Sequence, residues 1–329
     1  MKEQLIEFLA VGVSSFILTA VLSHYIIPLL RRKKIGQSIR EEGPQWHRVK
    51  AGTPTMGGIC FIMAIMIALT GAAVYFAIRG KQNTLIPMAL TMALAVMNGM
   101  IGFVDDYCKL IKHQNEGLKA YQKFWLQVLA AVAYVLLLKW LGYIDTSLHI
   151  PFTDINVEIG IVYYIFAVVL IVGMVNSVNL TDGIDGLAST VTLVVAGFFA
   201  VVAFSLMDSS LTLISASLIG AMIGFLIFNL HPAKVFMGDT GSLFLGGAVT
   251  GAAFIINEPM IIFIVGGVYV LESVSVILQV AFFKTFHRRI FKMAPIHHHF
   301  EKCDWKEGKI VTVFSLATAA LCVLGWFGL

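Results

Sequence analysis

The sequence predicts an all-α, polytopic integral membrane protein with about ten transmembrane helices and both termini on the outer face. Three observations lead there. Of 329 residues, 58% are hydrophobic and only 13% are charged, with a mean hydropathy of +0.87; a soluble domain averages about a quarter charged. The apolar residues fall into runs of bilayer length, about 20 residues per helix. The basic residues gather on alternate connections. A soluble enzyme, a disordered chain or a nucleic-acid-binding domain of this composition would expose large apolar patches. A β-barrel would alternate apolar and polar residues over strands of about 10.

The runs lie roughly at 5–30, 56–78, 84–104, 121–141, 159–178, 187–206, 211–230, 241–256, 259–283 and 309–328. The first is too long for a signal-peptide core, so it is expected to be retained. The second opens at Gly57-Gly58, and the third ends at the acid pair Asp105-Asp106. The fifth ends at Asn179, and the sixth starts after Gly186. Pro232 stops the seventh. The eighth is short and glycine-rich, and the ninth holds one isolated acid, Glu272. We read the chain as a single transmembrane domain, 1–329. Its inner connections are 31–55, 105–120, 179–186, 231–240 and 284–308.

Of the 23 Lys and Arg residues, all but Lys2, Arg79, Lys81 and Lys139 lie on or immediately beside those five connections. Basic residues mark the cytoplasmic side. The polar chemistry follows them. Asp105, Asp106, Asp182, Asp185, Asp239 and His297 to His299 all sit at the inner boundary, where a soluble substrate can meet a lipid head group.

Five constellations carry possible chemistry. Asp105-Asp106 would end a helix where the macrodipole prefers cations, so Lys109, Lys123 or a divalent metal should compensate them. Asn179-Leu-Thr-Asp182-Gly-Ile-Asp185-Gly186 pairs two acids with glycines that admit close backbone approach; either acid could instead cap the next helix. In the segment from Asn229 to Ser242, Phe236 is an aromatic ring in a polar loop, fit for stacking on a base or for interfacial packing. There Asp239, Thr240 or Ser242 could cap the following helix, whose N-terminus favours anions. Adjacent histidines rarely share one zinc ion, so His297-His298-His299 suits phosphate recognition or acid–base assistance better. Lys50-Ala-Gly-Thr-Pro-Thr55-Met-Gly-Gly58 offers a lysine and hydroxyls but is not a Walker A loop. Glu272 is a functional candidate as an intramembrane acid, or simply an interhelical hydrogen-bonding group. Inner-face carboxylates suit magnesium, which takes oxygen ligands and substrate phosphates. The pieces point to a membrane-embedded phosphoryl- or phosphosugar transferase.

In order and on one side of the membrane, Gly52-Thr-Pro-Thr-Met-Gly-Gly58, Asp105-Asp106-Tyr107, Asn179 to Leu187, Gly238-Asp-Thr-Gly-Ser242 and Pro295-Ile-His-His-His-Phe-Glu301 resemble the phospho-N-acetylmuramoyl-pentapeptide transferase family. This is the peptidoglycan branch of the polyprenyl-phosphate hexosamine-1-phosphate transferases. The motifs span roughly 24–308. The resemblance implies transfer of phospho-N-acetylmuramoyl-pentapeptide from its UDP carrier to undecaprenyl phosphate, giving lipid I and UMP, with Mg²⁺ as cofactor. It implies a multi-pass protein of the bacterial cell membrane, a cytoplasmic active site, a homodimer and no nucleic-acid partner. Under it, Asp239 is the metal ligand, and Asp105 and Asp106 lie near the lipid phosphate, Asp105 as the base. Lys50, Asp185, Asn229 and Phe236 form the nucleoside pocket. Thr55, Asn179, Asp182, Gln279 and His298 surround sugar and phosphates, with His298 counted in the catalytic set. Lys109, Lys123, His297 and His299 are further substrate-binding groups. Direct attack by the lipid phosphate and a covalent carboxylate intermediate both remain open. The alternatives are a transferase using UDP-N-acetylglucosamine and a transporter of a polyprenyl-linked sugar. A transporter site usually lies near the midplane between repeated halves, and no repeat is visible here.

Overall fold

The computed structural model describes residues 1–32, 52–81, 85–112 and 117–329. Its long helices follow the apolar runs: α1 (Lys2–Arg32), α2 (Gly58–Ile78), α3 (Ile86–Lys112), α4 (Ala120–Trp140), α5 (Val162–Thr181), α6 (Leu187–Leu206), α7 (Ser209–Asn229) and α8 (Gly238–Ile255). Beyond them come the short α9 (Ile262–Val265), then α10 (Gly267–Phe286), the short α11 (Ile296–Glu301) and α12 (Glu307–Trp326). Among the described residues nine helices are long and apolar enough to cross a membrane: α1 to α7, α10 and α12. The chain is therefore an all-α polytopic membrane protein.

α8 is the tenth long helix, and it differs from the rest. It packs against α2, α3, α5, α6 and α7, and Thr240 through Phe254 are buried without a break. A helix enclosed by others has no side to offer to lipid. Small residues at its interfaces let the backbones approach closely, which is why this run is glycine-rich. α1 shows the opposite pattern. It buries Ser15, Thr19 and Ser23 against its neighbours and exposes Leu5, Leu9, Val13, Ile17 and Val21 at every fourth position. In lipid the greasy stripe faces outward and the small polar stripe packs inward.

Three features depart from the sequence expectations. α3 does not stop before the acid pair but runs on to Lys112, so Asp105, Asp106 and Lys109 are helical rather than part of an inner loop. The ninth run is interrupted: a 3-10 turn at Pro259–Ile261 and α9 precede α10, with Gly266 at the break. The connection between α4 and α5 folds into a two-stranded antiparallel hairpin, β1 (Ser147–His149) with β2 (Asn156–Glu158), in which Leu148 faces Val157.

Candidate active site

The site begins where the last turns of α3 meet the first turn of α8. A helix N-terminus leaves its first amides without intrahelical partners and attracts negative charge. Here the acid comes from another helix. The Asp106 carboxylate accepts the Thr240 amide at 2.9 Å, the Thr240 hydroxyl at 2.7 Å and the Asp239 amide at 3.3 Å. This corrects the expectation that Asp239, Thr240 or Ser242 caps α8 itself. Gly102 makes the approach possible: a Cβ there would sit 2.1 Å from the Asp239 carbonyl oxygen.

The same junction gathers three acids and two lysines. Lys109 Nζ lies 2.6 Å from Asp105 Oδ2, 3.0 Å from Asp239 Oδ2 and 3.8 Å from Asp106 Oδ1. Lys123, from the first turn of α4, reaches the same Asp239 oxygen at 3.0 Å. Asp105 and Asp106 are nearly fully buried. Asp105 also accepts the Leu118 amide at 2.8 Å, which ties the start of α4 to α3. Asn179 donates from one nitrogen to Asp239 Oδ1 at 2.9 Å and to Ser242 Oγ at 2.8 Å. Two of the compensating groups named from sequence, Lys109 and Lys123, thus both reach the acids.

Asp105, Asp106 and Asp239 each present one carboxylate oxygen within 4.8 Å of the others, so this group could hold a metal ion. All-oxygen, anionic donors suit a hard cation such as magnesium. Of the three, Asp239 is the least buried, its side chain 20% exposed, so it has the easiest access to an incoming ion. In this arrangement the lysine ammoniums neutralise the acids.

A second cluster lies alongside. Asp185 accepts from His231 Nδ1 and from the Ala233 amide, each at 3.0 Å. Its own amide donates to Glu307 Oε2 on α12 at 3.1 Å. Asp185, His231 and Glu307 also present ligand atoms within 4.8 Å of one another. Asp185 does not cap α6, whose N-cap is Gly186, with no side-chain cap. Asp182 stands between the clusters, just after α5. Burial, and then the negative charges of Asp239, Asp106 and Asp185, push its carboxyl well above the ordinary carboxylate value.

The remaining predicted residues divide. Asn229 is buried; it accepts from Ser189 at 2.8 Å and donates to the Val235 carbonyl at 3.0 Å, shaping the turn that carries Phe236. Phe236 is half-buried. Its backbone is stitched to the segment before α2, through its amide to Pro54 and its carbonyl to Gly57, both at 2.9 Å. That contact places buried Thr55 beside Gly238 and the acid cluster. Lys50 lies outside the described residues.

The three histidines have three different surroundings. His297 is fully buried and paired with Glu272. His298 is hydrogen-bonded to Glu301. His299 accepts the Lys292 amide at 3.1 Å. Gln279 does not join the acid cluster; its side chain clamps the backbone of Ile290 and Phe291 at 3.0–3.2 Å. Sequence reasoning missed Glu307, His231 and Ser189 as partners of site residues. His231 lies within the segment from Asn229 to Ser242 singled out above, but no local motif marks Glu307 or Ser189, because each acts from a different element.

Comparison with known proteins gives the relatives of this chain. A family model described as glycosyl transferase family 4 matches residues 88–257. A model described as phospho-N-acetylmuramoyl-pentapeptide-transferase signature 1 matches residues 50–62. Curated proteins named phospho-N-acetylmuramoyl-pentapeptide-transferase are similar over nearly the whole length. That of Clostridium botulinum (strain Alaska E43 / Type E3) is 47% identical over 316 residues, 95% of this chain and 94% of the relative. That of Clostridium beijerinckii is 44% identical over 330 residues, 98% and 97%. That of Staphylococcus carnosus is 42% identical over 320 residues, 96% and 98%.

Proposed function

The chain belongs to the phospho-N-acetylmuramoyl-pentapeptide-transferase family, and from that premise we propose how it works. It is a transferase that moves phospho-N-acetylmuramoyl-pentapeptide from its UDP carrier to undecaprenyl phosphate, releasing UMP. The observation that carries the residue assignment is the convergence of Asp105, Asp106 and Asp239 with Lys109 and Lys123 at the α3–α8 junction.

A phosphate oxygen of the acceptor lipid attacks the sugar-bearing phosphorus. The phosphorus–oxygen bond to UMP breaks, and UMP leaves with the electron pair. The lysines, freed from Asp239, hold the diphosphate oxygens as charge builds on them. Asp105 takes the proton when the lipid phosphate arrives as a monoanion. Asp106 stays on the α8 amides and keeps Asp239 in place. Asp239 would be the residue that holds Mg²⁺, and a bound ion would supply charge neutralisation at the leaving phosphate. Asn229 supports the turn that brings Phe236 against the uracil, with Asp185 beside it; Lys50 is assigned to the nucleoside by resemblance alone. Thr55, Asn179, Asp182, His298 and His299 line the sugar and phosphate side. Gln279 serves by fixing the backbone at 290–291 beneath the histidines. The basic residues of the inner connections support a site on the cytoplasmic face of a bacterial cell membrane, with both termini outside.

The test is a labelled transfer assay in detergent with each nucleotide sugar in turn. UDP-N-acetylmuramoyl-pentapeptide should give a labelled lipid and UMP only in the presence of undecaprenyl phosphate. Transfer from UDP-N-acetylglucosamine instead would overturn the substrate assignment.

A further inference from the structure

Glu272 is unexplained by the reaction just described. It lies on α10, within a membrane-spanning segment, and is fully buried. An acid in that setting is costly to keep. Its Oε2 accepts from His297 Nδ1 at 3.0 Å and is 3.5 Å from the His297 amide nitrogen. An ionised carboxylate can only accept, so Nδ1 carries the hydrogen of this bond. Both partners have 0% side-chain exposure. Two atoms of the pair, His297 Nε2 and Glu272 Oε1, are buried without a hydrogen-bond partner among the described residues.

Nε2 faces the link between α5 and α6. A Cβ at Gly183 would lie 2.2 Å from Nε2 and 2.5 Å from Cε1, so only glycine fits against the ring. Gly183 separates Asp182 from the residues leading to Asp185. The pair therefore joins α10, α11 and the link that bears both carboxylates.

We propose that Glu272 is a positioning residue of the transferase. By holding the His297 imidazole it sets where Nε2 lies against Gly183, and so where the Asp182–Asp185 segment stands over the substrate. This rests on the transferase reading above. Displacement of a reacting group by about 1 Å can cost about 100-fold in rate, so a small tilt of the ring suffices.

The experiment uses the full-length protein in detergent, measuring kcat, both KM values and Tm. The variants are Glu272→Ala, Glu272→Gln, His297→Gln, Gly183→Ala and the double variant Glu272→Ala with His297→Gln. Glu272→Ala should lower kcat by about 100-fold. Glu272→Gln should restore most of that loss, because its amide oxygen still accepts from Nδ1. Gly183→Ala, which pushes on the ring from the other side, should reproduce the loss. The double variant should be no slower than His297→Gln alone. Wild-type kcat in Glu272→Ala with only a lower Tm would overturn the proposal, as would a Glu272→Gln no better than Ala. If Glu272→Ala does not fold, the Gln and Gly183 variants decide by the same criteria. An active wild type with unaffected variants overturns positioning alone. A wild type that transfers nothing overturns the transferase reading and this role with it.

Discussion

The α1–α7 and α3–α8 contacts are built alike and end differently. Both are close helix crossings with small and hydroxylated residues between the backbones. Along α1–α7 the polar groups are neutral and several are matched locally: Ser15 donates to the Ser217 carbonyl at 2.8 Å, and Gln4 donates to Thr212 and to the Ala203 carbonyl of α6 at 2.8–2.9 Å, whereas Thr19 Oγ1 is buried without a hydrogen-bond partner among the described residues. Along α3–α8 the crossing terminates in Asp105, Asp106 and Asp239, held by lysines and by the N-terminal amides of α8. The first contact spends its polar groups on adhesion. The second leaves like charges beside one another, balanced by the Lys109 and Lys123 ammoniums. Close packing is common to both; charge left for a ligand is what separates a site from a seam.

Asp239→Asn should break the comparison most. It should lower transfer by about a thousandfold, whereas elution volume on size exclusion and Tm should stay close to wild type. Rate across a magnesium titration reads this out, and near-normal turnover at low magnesium would remove Asp239 from the site. Phe236→Ala comes next. Base–aromatic stacking is worth about 1–3 kcal/mol, so the nucleotide-sugar KM should rise about 5- to 150-fold with the lipid KM unchanged. A change in the lipid KM alone would make Phe236 a packing residue.

Asp105→Asn sharpens the contrast by its dependence on pH. A phosphate monoester has its second pKa near 6. Above it the acceptor is already a dianion and needs no base; below it the proton must leave during attack. The variant's deficit in kcat should therefore be deepest at low pH and recover in part as pH rises. A flat, complete loss together with a trapped phosphosugar–enzyme adduct would mean a covalent carboxylate nucleophile instead. Gln4→Ala should be the mildest. It removes two buried hydrogen bonds at the α1 end, costing about 1 kcal/mol of stability, read as a lower Tm. Transfer kinetics should stay at wild-type values, and a fall in kcat would show that this seam too serves the site.

Much of the fold is legible along the chain. Hydropathy alone places the long helices to within a few residues, except at the C-terminal end of α3 and the start of α10, because a bilayer core imposes one length and one composition on whatever crosses it. Three acids named from the motifs, Asp105, Asp106 and Asp239, come together in the structure. Asp105, Asp106, Asp239, Asn179 and the two lysines are all named by pattern and by resemblance before any contact is known.

Other features depend on partners distant in sequence. Nothing near Asp106 says that it will cap α8, since the amides it accepts lie more than a hundred residues on. That same interaction lets α3 continue through two adjacent acids that its own macrodipole disfavours. Three consecutive histidines look interchangeable in sequence, yet one is buried against Glu272, one pairs with Glu301, and one accepts a backbone amide. Gln279, read as a substrate contact, holds a neighbouring turn that no local pattern foretells. The sequence by itself determined which segments are long and apolar enough to enter the membrane, because solvent transfer acts on each segment separately. Only the tertiary structure decided which carboxylate caps, which is bridged by lysine and which holds a histidine, because hydrogen bonds and ion pairs act over about 3 Å, whatever the distance along the chain.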